Sequence, residues 1–310
     1  MAAAPELQTQ QLTRLTLSEK VQAYYEFTKP RIWYLLVFTA ITATFVASRV
    51  LETSVSIPTF VLATVAITAG TAGCNALTSY HDRDIDAVML RTRHRPLPSG
   101  RIQPRSALAF ALLLTGTSVL LSALLNTFSV LWMVLGILDN VVVYSLLLKR
   151  RSSLNILLGG FSGGLPVLFG WSAATPGPIG SYSLLAVLMA GLVFLWIPIH
   201  IWFLAVSYRS DYARVGVPML PVVVGTITAL RLITLFSLIF IPFSLAVYYL
   251  GNFGLVYGLI AGGGSVALLV GSIYVLVKPT ETNAWRMFKI TSPYLFLLFL
   301  GMIVDVALRG

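Results

Sequence analysis

The sequence predicts an all-α polytopic membrane protein of nine transmembrane helices, with its N-terminus cytoplasmic and its C-terminus outside. Three observations carry that expectation: scarce charge, nine long apolar runs, and a one-sided distribution of basic residues. Of 310 residues, 57% are hydrophobic and only 10% charged. An ordinary soluble domain carries about 25% charged and roughly 45–50% apolar residues. So little charge cannot clothe a globular surface of this size, which excludes a soluble enzyme, a disordered chain and a nucleic-acid-binding domain. The net charge of +10 therefore reads first as topology, and nucleic acid is not an expected partner. The single cysteine, Cys74, cannot form an internal disulfide.

A helix crossing about 30 Å of hydrocarbon needs about 20 apolar residues. That ruler finds runs at 32–50, 57–79, 106–126, 128–148, 154–174, 181–205, 225–249, 254–277 and 290–308. Residues 1–31 read as a cytoplasmic segment and 32–310 as one transmembrane domain. The leading segment holds Glu6, Arg14, Glu19, Lys20, Glu26, Lys29 and Arg31. It has no short apolar core and no small-residue cleavage site, so no signal peptide is expected. Its acidic residues argue against a mitochondrial presequence, and a prokaryotic plasma membrane is the expected location. Arg14, Lys20, Lys29 and Arg31 precede the first run, and six arginines from Arg83 to Arg105 lie between the second and third. Lys149, Arg150 and Arg151 follow the fourth, Arg209 and Arg214 the sixth, and Lys278, Arg286 and Lys289 the eighth. Eighteen of the 21 basic residues thus fall on one side, which the positive-inside rule makes cytoplasmic.

That side also holds three of the eleven acids within five residues, Asp82, Asp84 and Asp86. Positions four apart share a helix face. If the second helix runs on, Asp82 and Asp86 point one way, with Thr78 one turn before and Asn75 two turns before. Carboxylates about 6 Å apart repel unless a cation lies between them. Mg²⁺ is bound typically through one or two carboxylates plus substrate phosphates. The spacing alone fits such a Mg²⁺–diphosphate site or a solvated loop of alternating Asp and Arg. Arg91, Arg93, Arg95 and Arg101 follow directly, more cations than anchoring a span requires, and arginine engages phosphate oxygens bidentately. Lys149 and Arg150, just beyond Tyr144, add a second basic patch. GGFSGG at 159–164 has no preceding strand and reads as a close-packing surface, not a nucleotide loop. Asp139 and Asn140 are costly within a span; they read as cavity-facing residues or as partners in a structural hydrogen bond.

The segment DRDIDAVMLRTRHRPLPSG resembles the first aspartate-rich motif of the UbiA-type intramembrane prenyltransferases, and more closely their heme O synthase branch. FTKPRI, LKRRSSLNILLGGFSGGLPVLFGW and WIPIHIWFLAVSYRSDYARVGVPMLPVVVG extend the resemblance in the family's order. It implies nine helices around a central cavity open to lipid. It also implies Mg²⁺-dependent transfer of a farnesyl group from farnesyl diphosphate to a vinyl group of heme B, a substrate here and not a cofactor. Asp82 and Asp86 become the catalytic metal-binding carboxylates, with Asn75 as a further ligand. Lys29, Arg91, Arg95, Lys149 and Arg150 become diphosphate ligands. His200, Asp211 and Tyr212 fall on the acceptor side, and Thr78, Asp139, Asn140 and Tyr144 are cavity polar residues. His200, the one histidine deep within a span, fits an iron ligand or a histidine bonded to a neighbouring helix.

The sequence departs from the family at Thr78, where the family carries Asn. It also has Asp211 alone, where aromatic-acceptor members have a second acidic pair. Implied partners besides the bilayer are heme A synthase or terminal-oxidase assembly proteins. The donor stays open between farnesyl and a longer prenyl diphosphate. The competing readings are a UbiA-type enzyme with a quinone-precursor or glycerol-phosphate acceptor, and a polytopic transporter. A transporter needs ionisable residues along a mid-membrane path, whereas these cluster at one surface.

Overall fold

A computed structural model describes residues 15–175 and 183–309. Glu6, Arg14 and the first two residues of the run at 181–205 lie outside them. Among the described residues, nine helices are long and apolar enough to cross a membrane. They are Pro30–Val50, Ile57–His81, Pro104–Ala123, Thr127–Leu148, Asn155–Ala173, Leu184–Ser207, Thr226–Leu250, Leu255–Val277 and Glu281–Leu308. Helices suit such a chain because hydrocarbon offers no partner for backbone N–H and C=O groups.

Most ends fall close to the apolar runs, and two spans differ from them. The ninth helix begins at Glu281, nine residues before the run at 290–308, so Arg286 and Lys289 are helical and not loop. Its start is set by a cap: Thr280 accepts a hydrogen bond from the Asn283 amide at 3.1 Å. The fourth span is α-helical only over Thr127–Ile137 and continues as a π-helix over Leu138–Leu148.

The spans form two rings. The first five close on themselves, the first lying against the second and fifth and the fourth against the third and fifth. The sixth to ninth close likewise, and the rings meet where the fifth touches the sixth and the first touches the ninth. Lipid gives little hydrophobic drive for helix association, so close backbone approach does the work. A Cβ on Gly170 would lie 2.1 Å from the Ala40 carbonyl oxygen, and one on Gly164 would lie 2.7 Å from that of Ala190. Thr44 ties the same seam by donating to the Gly170 carbonyl at 2.8 Å. In the second ring, Ser237–Ser272 and Ser244–Ser265 bond across helices at 2.9 Å each, and Ser265 meets the Tyr294 hydroxyl at 2.7 Å.

Inside the first ring lies a small cavity of about 70 Å³, lined by residues of the first, second, fourth and fifth spans. Ile32, Leu36, Ile67, Met133, Leu165 and Phe169 make it mainly apolar, and Asn75 and Asn140 supply polar edges.

The Gly170 contact meets backbone, which cannot swing aside. Gly170→Ala is therefore expected to cost about 1–3 kcal/mol through overpacking. Gly116→Ala, with nothing within 4 Å of its Cβ, should leave stability intact. Thermal unfolding of the two variants in detergent checks the contrast.

Candidate functional site

The second span ends at His81, and Asp82 is its cap, with φ −85° and ψ 2°. A short helix, Arg83–Val88, follows at once. The second helix thus runs past the apolar run at 57–79 and breaks at Asp82, yet the amide ladder survives. Asp82 donates to the Thr78 carbonyl at 3.0 Å and Asp86 to that of Asp82 at 2.8 Å. Helical spacing is kept, and the three acids separate by environment. The side chains of Asp82 and Asp86 are 2% and 6% exposed, that of Asp84 61%.

Each acid has its own cation. Asp82 pairs with Lys149, and Asp86 with Arg95 at 2.8 Å. Asp84 takes Arg150 in a two-point contact of 2.6 and 2.7 Å, and Arg150 also donates to the His81 carbonyl at 2.8 Å. Arg150 is therefore held on the exposed acid and is not brought to the buried pair. That contact pulls the Asp84 carboxyl down to about 2. Burial works to raise the Asp82 carboxyl, and Lys149 and Lys29 outweigh it, leaving it below its ordinary value.

Lys29 reaches the site from the first span. Its φ of 54° is left-handed, an uncommon conformation for a side-chain-bearing residue. This turn precedes Pro30 at the helix start, and the ammonium donates to the Thr78 hydroxyl at 3.3 Å. Burial, and then the neighbouring Arg95, depress Lys29 to about 7 against the pull of Asp82 and Asp86. Thr78 thus holds a lysine.

Asn75 donates to the Thr71 carbonyl at 2.9 Å and lines the cavity. Asp139 accepts from the Ser162 amide at 2.8 Å, and the Asn140 amide reaches the Ser162 hydroxyl at 3.5 Å. Tyr144 owes its position to the π-helix. The Lys149 amide bonds to the Tyr144 carbonyl five residues back at 2.8 Å, and the ammonium sits 5.5 Å from the Tyr144 ring.

On the sixth span, His200 lies between the rings of Trp196 and Phe288, each 4.3 Å away. Its Nδ1 meets the Thr291 hydroxyl of the ninth span at 2.6 Å, so it does bond to a neighbouring helix. That hydroxyl donates to the Phe288 carbonyl at 2.8 Å. Beyond this span, Asp211 and Tyr212 are buried in a short helix, Arg209–Arg214, and Asp211 faces Arg214 at 3.5 Å. Arg91 crosses to this helix and donates to the Tyr212 hydroxyl at 3.3 Å. It too is not brought to the buried carboxylates.

Sequence reasoning passed over Thr92, Tyr208, Trp285, Phe288 and Thr291. Thr92, buried, donates to the Asp86 carbonyl at 3.1 Å and pins the loop. The others line the joint between the sixth and ninth spans, and for Trp285 and Phe288 the Thr280 cap that starts the ninth helix early was the signal that could have found them.

These residues suit a divalent cation. Asp82 Oδ1 is buried without a protein partner, and a hard carboxylate oxygen is what Mg²⁺ prefers. Among the described residues, no three His, Cys, Asp or Glu side chains cluster for a metal. A cation here would draw its remaining ligands from substrate oxygens and water.

Over residues 36–300 the chain matches the UbiA prenyltransferase family. The chain belongs to that family. Among its relatives, Protoheme IX farnesyltransferase of Desulforudis audaxviator is 48% identical, over 94% of this chain and 90% of its own. Protoheme IX farnesyltransferase 2 of Cenarchaeum symbiosum is 42% identical, over 96% of this chain and 100% of its own. The fold is shared with a digeranylgeranylglyceryl phosphate synthase structure, at TM-score 0.75 and 20% identity over 93% and 99% of the two chains. A UbiA homolog from Archaeoglobus fulgidus, solved with DMAPP and Mg²⁺, gives 0.62 at 16% identity over 89% and 99%. The chain is thus a multi-pass prenyltransferase of the UbiA family.

Removing one partner of a buried ion pair costs about 3–5 kcal/mol. Lys149→Met should lower the thermal stability of the detergent-solubilised protein accordingly, and adding Asp82→Asn should restore most of it. Arg150→Met, on an exposed acid, should change stability little.

Proposed function

We propose that this chain transfers the farnesyl group of farnesyl diphosphate to a vinyl group of heme B, with addition of water, giving heme O and diphosphate. The observation that carries the reading is the buried Asp82–Asp86 pair, with an unpartnered carboxylate oxygen, beside Lys29, Arg95 and Lys149. A surface loop of alternating charges would leave both acids in water. The acceptor follows from relatives named protoheme IX farnesyltransferase at 37–48% identity.

In this reading Asp82 and Asp86, with Asn75 nearby, hold Mg²⁺, which supplies positive charge against the leaving diphosphate. Lys29, Arg95 and Lys149 receive diphosphate oxygens and stabilise the negative charge that develops as the allylic C–O bond breaks. Both electrons of that bond leave with the diphosphate. The vinyl carbon bonds to the allylic carbon, water adds to the resulting porphyrin-side cation, and a proton is released. The apolar residues that line the cavity, Ile32, Leu36, Ile67 and Phe169 among them, face the isoprenoid tail. The face holding Asp82 is cytoplasmic, since eighteen of the 21 basic residues fall there by sequence. Residues 32–310 act as one domain in the plasma membrane.

Purified protein incubated with farnesyl diphosphate, Mg²⁺ and heme B should form heme O, read by chromatography and mass. Hydroxybenzoate in place of heme should give no product. Asp82→Asn and Asp86→Asn should each lower kcat by about a hundredfold or more, and EDTA should abolish turnover until Mg²⁺ is returned. Full-rate Asp82→Asn enzyme would overturn the assignment.

A further inference from the structure

Arg91 follows Asp86 by five residues, and proximity in sequence would send it to the diphosphate. The structure sends it elsewhere. It makes no ion pair among the described residues; Asp82, Asp84 and Asp86 are taken by Lys149, Arg150 and Arg95. Its guanidinium lies 5.1 Å from the Tyr208 ring centroid and 6.0 Å from that of Tyr212, with Nη2 on the Tyr212 hydroxyl. Its Nε is buried without a partner. A guanidinium held by aromatic faces keeps its in-plane N–H donors for a bidentate anion.

Rings continue from that point without a gap. Tyr208 meets Trp285 at 5.7 Å, Trp285 meets Phe288 at 5.0 Å, and Phe288 meets His200 at 4.3 Å. Tyr208, Trp285 and Phe288 are all partly exposed. The strip follows the joint of the sixth and ninth spans in the second ring, whereas the apolar cavity lies in the first. Its upper end carries a cation and its lower end a histidine. A flat, apolar substrate with carboxylates at one edge matches that polarity; a prenyl diphosphate does not.

We propose that Arg91 binds a carboxylate of the acceptor, orienting its ring plane along Tyr208, Trp285 and Phe288, and takes no part in holding the diphosphate. The assignment rests on the reading of heme B as acceptor. It divides the arginines of one loop between two substrates: Arg95 for the donor, Arg91 for the acceptor.

Steady-state kinetics of the full-length enzyme test it, with heme B or its propionate dimethyl ester as acceptor. Losing a hydrogen-bonded ion pair should raise the KM for heme B in Arg91→Gln about tenfold or more. The KM for farnesyl diphosphate should not move. Wild-type enzyme should show the same rise with the dimethyl ester, and Arg91→Gln should lose nothing further with it. Arg91→Lys, which keeps charge and fold but not the bidentate fork, should fall between. A raised KM for farnesyl diphosphate with heme B unaffected would overturn the proposal and return Arg91 to the donor. An equal loss on heme B and on the ester in Arg91→Gln would overturn it too, as the mark of a structural role. Wild-type turnover of heme B reports separately on the reading beneath: if that turnover is missing, the acceptor assignment fails before Arg91 is tested.

Discussion

The ion pair between Asp82 and Lys149 is the contact on which the charged site depends. It joins the end of the second span to that of the fourth, 67 residues apart in sequence. A carboxylate withdrawn from water loses several kcal/mol of solvation on the order-of-magnitude scale, regained only through a close cation with good geometry. Lys149 meets that need with one carboxylate oxygen and leaves the other bare. A wholly satisfied carboxylate would be a strut; one with a free buried oxygen is a strut with an unused ligand. Stability and readiness for a cation are therefore properties of the same side chain.

Two neighbouring residues show why such a site was only partly legible in the sequence. Lys149 and Arg150 are adjacent cations and look equivalent. The structure sends the first to buried Asp82 and the second to exposed Asp84. The difference comes from the π-helix over Leu138–Leu148, which stacks Lys149 above Tyr144 where an α-helix would stack it above Ser145. No residue pattern in that run announces a π-helix. Asp82 and Asp86, by contrast, were legible because four-residue spacing is local and survives the break at Asp82. The nine spans were legible because a bilayer imposes a length on every apolar run. Where a cap and not hydropathy sets a boundary, as Thr280 does for the ninth helix, the apolar run alone misplaces the end. That misplacement hid Trp285 and Phe288, and with them the aromatic strip.

The two rings of helices give the proposed chemistry its geography. The apolar cavity belongs to the first five spans, and the aromatic strip from Tyr208 to His200 to the sixth and ninth. The charged loops lie across the top of both, since Thr92 ties one loop to Asp86 while Arg91 reaches the helix after the sixth span. Donor and acceptor can then approach the reacting centre from different rings. An allylic cation must meet the vinyl group before it meets water, so holding both partners in place matters more than any single polar contact.

Charge balance around the two buried carboxylates argues for the same occupant. Lys29, Arg95 and Lys149 stand against Asp82 and Asp86, three cations to two carboxylates. Burial, and then Arg95, depress Lys29 to about 7. A divalent cation alone would worsen the excess, and a bare diphosphate would crowd its oxygens against both carboxylates. A diphosphate arriving with its Mg²⁺ would bring a small net negative charge to these residues. Under the proposed function, a prenyl diphosphate that carries its Mg²⁺ would offset the surplus positive charge, whereas the metal alone would add to it.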